Sequence, residues 1–208
     1  MQALLYGMPY TALFEGADLR ARMFAQLVAV IEMAGLLGTR NLVFGSPKHR
    51  IKGVMTMPEA IEDAAPFFRR LGEVASDNDV CLCIEPNPEH YGCDFVTDST
   101  EGIALVDAVN HPGFGLHLDA AGMTLAGENV ESAISAAGPR LRHFHISEKD
   151  LAPIGSGSVD HAAVAAALAD SDYPGWLSIE MRPVESNGIA VIESALEAVS
   201  AAYGNLTR

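Results

Sequence analysis

The segment Phe114-Gly-Leu-His-Leu-Asp119 is a short apolar strand candidate that ends in an imidazole and a carboxylate. Side chains two positions apart on a strand share one face, so His117 and Asp119 are predicted to point the same way. Three further apolar runs also end in an oxygen or nitrogen ligand, so the pattern recurs on four successive strand candidates. These runs are Cys81-Leu-Cys-Ile-Glu85, Leu141-Arg-His-Phe-His145 and Trp176-Leu-Ser-Ile-Glu180.

Strand candidates alternate with longer segments of helical spacing along the whole chain. This alternation predicts an α/β fold of parallel strands with crossover helices. No linker or low-complexity tract divides the sequence, so we expect one domain over residues 1–208. The strand candidates are Ala3–Gly7, Asn41–Ser46, Val80–Glu85, Phe114–Asp119, Leu141–Ile146 and Trp176–Met181. The helix candidates are Leu19–Leu37, Pro58–Ala75, Thr100–Val109, Glu128–Ala137, Val159–Ala169 and Val191–Ala202.

Two parallel architectures compete, the doubly wound open sheet and the closed (β/α)₈ barrel. A dinucleotide-binding sheet is expected to show G-x-G-x-x-G after an early strand, and the sequence has neither that motif nor a P-loop. Gly155-Ser-Gly157 lacks the third glycine. Ligand-type residues at the carboxyl ends of strands favour the barrel, where active sites lie at that end.

The four strand-end residues Glu85, Asp119, His145 and Glu180 form an oxygen-rich set with one nitrogen. Three carboxylates that converge without a cation would raise one another's pKa values. A divalent cation removes this repulsion, and the ligand chemistry suits Mn²⁺, Co²⁺, Mg²⁺, Fe²⁺ or Zn²⁺. The alternative for each of the three carboxylates alone is that it caps the helix that follows.

The composition of the chain excludes some classes of binding partner. The 208 residues carry 13 Lys+Arg against 27 Asp+Glu, a formal net charge of −14. Such a surface repels nucleic acid and anionic membranes, so neither is expected as a partner. We expect no signal peptide, because the first residues lack a basic region followed by a long apolar stretch. The sequence also has no run of about 20 apolar residues. Cys81, Cys83 and Cys93 are odd in number and favour buried thiols over a zinc pair, so a reduced, cytoplasmic setting is expected.

The sequence resembles the sugar phosphate isomerase/epimerase group of the xylose-isomerase-like TIM barrels, over essentially its whole length. The resemblance implies metal ligands at Glu85, Asp119, His145 and Glu180, whose spacing is similar to that in keto-sugar 3-epimerases. The matching segments are Ala3–Gly7, Leu42–Arg50, Cys83–Pro86, His117–Asp119, His143–His145, Ser178–Glu180, Gly155-x-Gly157 and Tyr173–Gly175.

The resemblance implies an isomerase of carbohydrate metabolism that acts on a small sugar or polyol. A metal would hold a carbonyl and a neighbouring hydroxyl, and Glu85 and Glu180 would remove and return a proton. A metal-dependent dehydratase of a cyclic polyol ketone remains open on the same ligands. A catalytically impaired barrel that acts as a binding domain also remains open. An apurinic-site endonuclease is disfavoured, because the His expected shortly after Asp119 is missing and Val159-Asp-His161 is not spaced as its later Asp-x-His motif requires. The negative charge adds to the case against it.

Substrate recognition does not carry over from the keto-sugar epimerases. Their His three residues after the Asp ligand is Gly122 here, and their Arg six residues after the His ligand is Leu151. The remaining candidates for substrate binding are His117 and the cationic cluster Lys48-His49-Arg50, which would suit a phosphate or carboxylate. The alternatives are that His117 is a hydrogen-bonded core residue and that the cationic cluster is a solvated loop.

The number of predicted strands is too small for a closed barrel. Six strands are predicted, whereas the barrel needs eight, so we expect a barrel that is incomplete at its N-terminus by about two βα units. Unpaired strand edges are a liability in such a barrel. We therefore expect a homo-oligomer in which a second copy covers the gap, or a poorly stable chain.

Overall fold

The computed structural model describes residues 1–206, which form two compact units, Met1–His117 and Leu118 onward. The first unit contains α1 (Ala17–Leu36), β1 (Asn41–Phe44), α2 (Met57–Asp77), β2 (Cys81–Ile84), α3 (Ser99–Val109) and most of β3 (Phe114–Asp119). The second unit contains the end of β3, α4 (Ala120–Leu125), α5 (Val130–Ala137), β4 (Leu141–Ser147), α6 (His161–Asp170), β5 (Leu177–Glu180) and α7 (Gly188–Tyr203).

Strand pairing is parallel within each unit, as the alternation of strands and helices predicts. In the first unit, β1 pairs with β2 and β2 pairs with β3, with Leu82 opposite Phe114 and Ile84 opposite Leu116. In the second unit, β4 pairs with β5, and Ser147 lies opposite Glu180. Strands that are neighbours in the chain are therefore neighbours in each unit, which is typical of βα barrels.

The first predicted strand is wrong, and residues 1–206 contain five strands rather than six. Ala3 and Gly7 have φ angles of 57° and 74°, and the N–H of Tyr6 donates to the carbonyl of Ala3 at 3.0 Å. The apolar run therefore folds into turns that bury Leu4 and Leu5. Only Met1 lies along β1, where its carbonyl accepts from the N–H of Val43 at 2.8 Å.

Helix α2 covers the first unit's sheet with aromatic side chains. Phe68 packs against Phe44 of β1 and Phe114 of β3, with ring centroids 5.6 and 4.9 Å apart. The helix begins at a capping box, in which the Glu59 carboxylate accepts from the N–H of Thr56 at 2.8 Å. Burial of these rings fixes the helix against the strands whose carboxyl ends carry the candidate residues.

The core of the second unit includes Ile134 of α5, Leu168 of α6, and Phe144 and Ile146 of β4.

The thiols of Cys81, Cys83 and Cys93 are buried, as the sequence predicts, and none of them forms a disulfide. No helix within residues 1–206 is long and apolar enough to cross a bilayer.

Candidate metal centre

Three predicted ligands converge in the second unit. Asp119, His145 and Glu180 lie at or near the carboxyl ends of β3, β4 and β5, and each offers a ligand atom within 4.8 Å of the other two. His145 Nδ1 lies 3.1 Å from Glu180 Oε2. The pairing of β4 with β5, in which His145 is opposite Ser178, brings these two strand ends together.

Asp119 is both the N-cap of α4 and a member of this cluster. Its Oδ1 accepts from the N–H of Gly122 at 2.7 Å. Its Oδ2 is buried and has no hydrogen-bond partner within residues 1–206. Burial raises the pKa of Asp119 and the Glu180 carboxylate adds to the rise, whereas hydrogen bonds from Ser147 and Gly122 oppose it.

Two neighbours on β4 complete the surroundings of this cluster. The Ser147 hydroxyl oxygen accepts from the N–H of Ala121 at 3.1 Å, beside Asp119. Burial and the neighbouring His145 lower the pKa of His143 to about 4, so its ring is neutral near pH 7. Ser147 is not among the predicted site residues, although its position two residues after His145 on the same strand is a signal that points to it.

In the first unit, Glu85 and His117 lie side by side. Glu85 follows β2, and its Oε1 is 3.6 Å from Nδ1 of His117 on β3. The His117 side chain is fully buried, and 14% of the Glu85 side chain is exposed. The register of β2 and β3, in which Ile84 is opposite Leu116, places the next residue of each strand together.

The cationic cluster is divided between surface and interior. Lys48 is exposed, and Lys48 and His49 line a cavity of about 260 Å³ with Tyr6 and Ser46. His49 Nε2 lies 3.2 Å from the carbonyl oxygen of Met8. A contact between these two side chains and substrate stays a prediction.

Arg50 differs from the expectation of a substrate contact, because its side chain is fully buried. Its guanidinium donates to oxygen atoms of the protein, among them the carbonyl oxygens of Gly45 and Glu85 at 2.7 Å each. The chain folds back after β1 and places these oxygens around the cation, which local sequence does not reveal.

The cluster in the second unit fits a divalent cation by its chemistry. Two carboxylates and one imidazole converge, and one buried carboxylate oxygen of Asp119 is left without a protein donor within residues 1–206. A cation would satisfy that oxygen and offset the repulsion between Asp119 and Glu180. The parallel α/β fold with candidate ligands at strand ends therefore defines a protein of the βα-barrel class that has a candidate metal site.

The chain belongs to the xylose isomerase-like TIM barrel family, whose sequence profile matches residues 5–201. This finding confirms the family resemblance and the fold class that the sequence predicts.

The curated relatives are named as sugar epimerases, which are isomerases. L-ribulose 3-epimerase of Methylomonas sp. (strain DH-1) is 34% identical over 113 residues, which are 54% of this chain and 39% of that protein. A probable ketose 3-epimerase of Synechocystis sp. is 29% identical over 172 residues, which are 82% of this chain and 57% of that protein. The chain therefore spans about two fifths to three fifths of the length of these relatives.

Solved structures share the fold. The structure of an L-ribulose 3-epimerase superposes with a TM-score of 0.80 at 19% identity, and the match covers 94% of this chain and 72% of that one. At this level of identity, the superposition shows the barrel-type fold alone.

Proposed function

We propose that this chain carries the metal and acid–base centre of a divalent-metal-dependent sugar or sugar phosphate isomerase or epimerase. The observation that carries the proposal is the convergence of Asp119, His145 and Glu180, with the buried Asp119 Oδ2 lacking a hydrogen-bond partner within residues 1–206. The family, together with relatives named as ketose and ribulose 3-epimerases, supports a small ketose as the substrate class.

Glu85 is the fourth proposed ligand. Glu85 directly follows β2, just as Asp119 is the last residue of β3. Glu85 also lies beside His117, and His117 is two residues before Asp119 on β3. Three carboxylates and one imidazole leave open positions in a roughly octahedral site. A bound divalent cation would supply Lewis-acid polarisation of a carbonyl and a neighbouring hydroxyl, which acidifies the C–H between them.

Glu85 and Glu180 are the proposed acid–base pair. Their side chains are 14% and 20% exposed, so both carboxylates can reach a small substrate. One carboxylate takes the proton, and the other returns a proton to the opposite face in an epimerisation. Return of the proton to the neighbouring carbon gives an aldose–ketose isomerisation instead. His145 Nδ1 lies 3.1 Å from Glu180 Oε2, so the two proposed ligands are adjacent.

The first prediction concerns metal binding by the purified chain. The unaltered protein should bind one Mn²⁺ per chain in titration calorimetry. Glu180→Gln should weaken that binding by at least about 10-fold, because a neutral amide replaces a ligand carboxylate. Glu193→Gln, on the exposed surface of α7, is the matched control and should leave the affinity unchanged. A chain that binds no divalent metal, or binds it equally after Glu180→Gln, contradicts the proposed site.

The reaction itself is tested with ketopentoses and ketohexoses in D₂O. Epimerisation should incorporate deuterium at the carbon that is inverted, and NMR should detect both the label and the new sugar. Loss of water from a cyclic polyol ketone would indicate the dehydratase instead. Metal binding without exchange or product would contradict catalysis by this chain and indicate a binding domain.

A further inference from the structure

Arg50 forms hydrogen bonds with several chain segments that surround Glu85. The side chain is fully buried, and each of its five N–H groups is directed at an oxygen atom of the protein. The acceptors are the carbonyl of Gly45 at 2.7 Å, the carbonyl of Phe95, the carbonyl of Val96 at 3.1 Å, the carbonyl of Glu85 at 2.7 Å and Asn87 Oδ1 at 3.0 Å.

The carboxylate of Glu85 lies directly over Gly45, the first residue after β1. A Cβ atom at position 45 would overlap Glu85 Oε2 and lie 3.3 Å from Asn87 Oδ1. Gly45 does not adopt a positive φ angle, so the backbone itself would accept alanine. The requirement for glycine is therefore one of space, and the atom that would have to move is the end of the Glu85 side chain.

We propose that Gly45 and Arg50 are positioning residues for Glu85. Because Gly45 has no side chain, the Glu85 carboxylate can occupy the space above it. Arg50 holds the main chain of Glu85 against the end of β1. Together they direct Oε1 toward His117, 3.6 Å away. This inference rests on the proposed function for the assignment of Glu85 as a ligand.

Gly45→Ala separates positioning from folding, because the displaced atoms belong to the end of the flexible Glu85 side chain rather than to the backbone. We expect Mn²⁺ affinity to fall by about 10-fold or more, in the range seen when residues that orient a ligand are changed. In the metal-free protein, the ring NMR signals of His117 should shift, because the neighbouring carboxylate has moved. The thermal unfolding midpoint without metal should change little.

A double-mutant cycle ties the effect to Glu85. In a Glu85→Ala background the carboxylate is absent, so adding Gly45→Ala should change the Mn²⁺ affinity by less than about twofold. Arg50→Lys keeps the charge but loses the planar set of five donors, so it should weaken Mn²⁺ binding in the same non-additive way. Gly188→Ala is the matched control, since a Cβ there meets no atom within 4 Å.

The outcomes separate this inference from the proposed function. Mn²⁺ binding that is unchanged by Gly45→Ala, or equally weakened with and without Glu85, overturns the positioning role alone. Unaltered protein that binds no Mn²⁺ overturns both the metal site and the positioning role that depends on it.

Discussion

The two carboxylate oxygens of Asp119 have different surroundings. Oδ1 accepts from the N–H of Gly122 and caps α4, whereas the buried Oδ2 has no hydrogen-bond partner within residues 1–206. From sequence alone, helix capping and metal ligation are competing interpretations of a carboxylate at a strand end. The geometry makes them compatible, because capping uses one oxygen and leaves the other for a cation.

Glu148 is a fully buried charged residue whose carboxylate is surrounded by hydrogen-bond donors. Its carboxylate accepts from the N–H groups of Gly155, Gly157, Ser158 and Val159 at 2.9–3.1 Å. Burial opposes ionisation, but the hydrogen bonds from Ser158 and Gly157 outweigh it and lower the pKa of Glu148. The carboxylate therefore fixes the glycine- and serine-rich turn that follows the His145 strand.

Glu148→Gln tests this contribution. The amide keeps one acceptor oxygen but loses the charge, so the free energy of unfolding at pH 7 should fall by about 2 kcal/mol. The folded-state pKa lies below the ordinary value of 4.5, so the stabilisation is complete above that pH. It should disappear as the pH falls through the lowered pKa. Urea unfolding at pH 7 and at a series of lower pH values measures both effects.

The matched control for Glu148→Gln is Glu193→Gln on the exposed surface of α7. It should change the free energy of unfolding by less than about 0.5 kcal/mol. An equal loss in both variants, or a loss from Glu148→Gln that persists unchanged at low pH, would contradict the proposed role of the charge.

At the scale of elements, apolar periodicity predicts most of the secondary structure. β3 occupies the predicted residues, and α2 extends the predicted helix by one residue at its start and two at its end. The six-residue helix α4 is not predicted, because its sequence Ala-Ala-Gly-Met-Thr-Leu is too short to show the spacing of apolar residues that is typical of a helix. The prediction of a strand at Ala3–Gly7 is wrong for another reason, because a short apolar run fits a strand and a buried turn equally well.

Helix α2 approaches the start of β3 closely enough to exclude a side chain at Gly113. A Cβ there would overlap the carbonyl oxygen of Gly72 and lie 2.7 Å from Ser76 Oγ. Because the overlap is with backbone, Gly113→Ala should lower the free energy of unfolding by about 2 kcal/mol. Chemical unfolding checks the value, with Gly188→Ala as the control. An unchanged stability would show that the helix can move away from the strand at little cost.

At the scale of the whole molecule, the chain spans only part of the length of its relatives. The sequence predicts a homo-oligomer, and α7 has the surface that such an assembly would use. Ile189, Ile192 and Leu196 lie on one face of this helix and are 76%, 51% and 52% exposed. An apolar stripe of this kind is unfavourable in water unless another surface covers it.

We predict that the chain self-associates through this stripe. The double substitution Ile189→Lys and Leu196→Lys should shift the molar mass measured by light scattering toward the monomer at a given concentration. Ser194→Lys, on the opposite side of the same helix, adds charge without removing the stripe and should leave the mass unchanged. A monomer at all concentrations before any substitution would contradict the prediction.

The sequence by itself determines the alternation of parallel strands and helices, the family, and the four strand ends that carry Glu85, Asp119, His145 and Glu180. These features depend on local apolar patterning and on residue chemistry, which can be read along the chain. Only the tertiary structure decides that Arg50 is buried, that Gly45 makes room for a carboxylate, and that Asp119 Oδ2 lacks a protein donor within residues 1–206. The physical reason is that burial and hydrogen-bond satisfaction depend on contacts between segments that are distant in the sequence, as between Arg50 and Glu85, and no local pattern predicts those contacts.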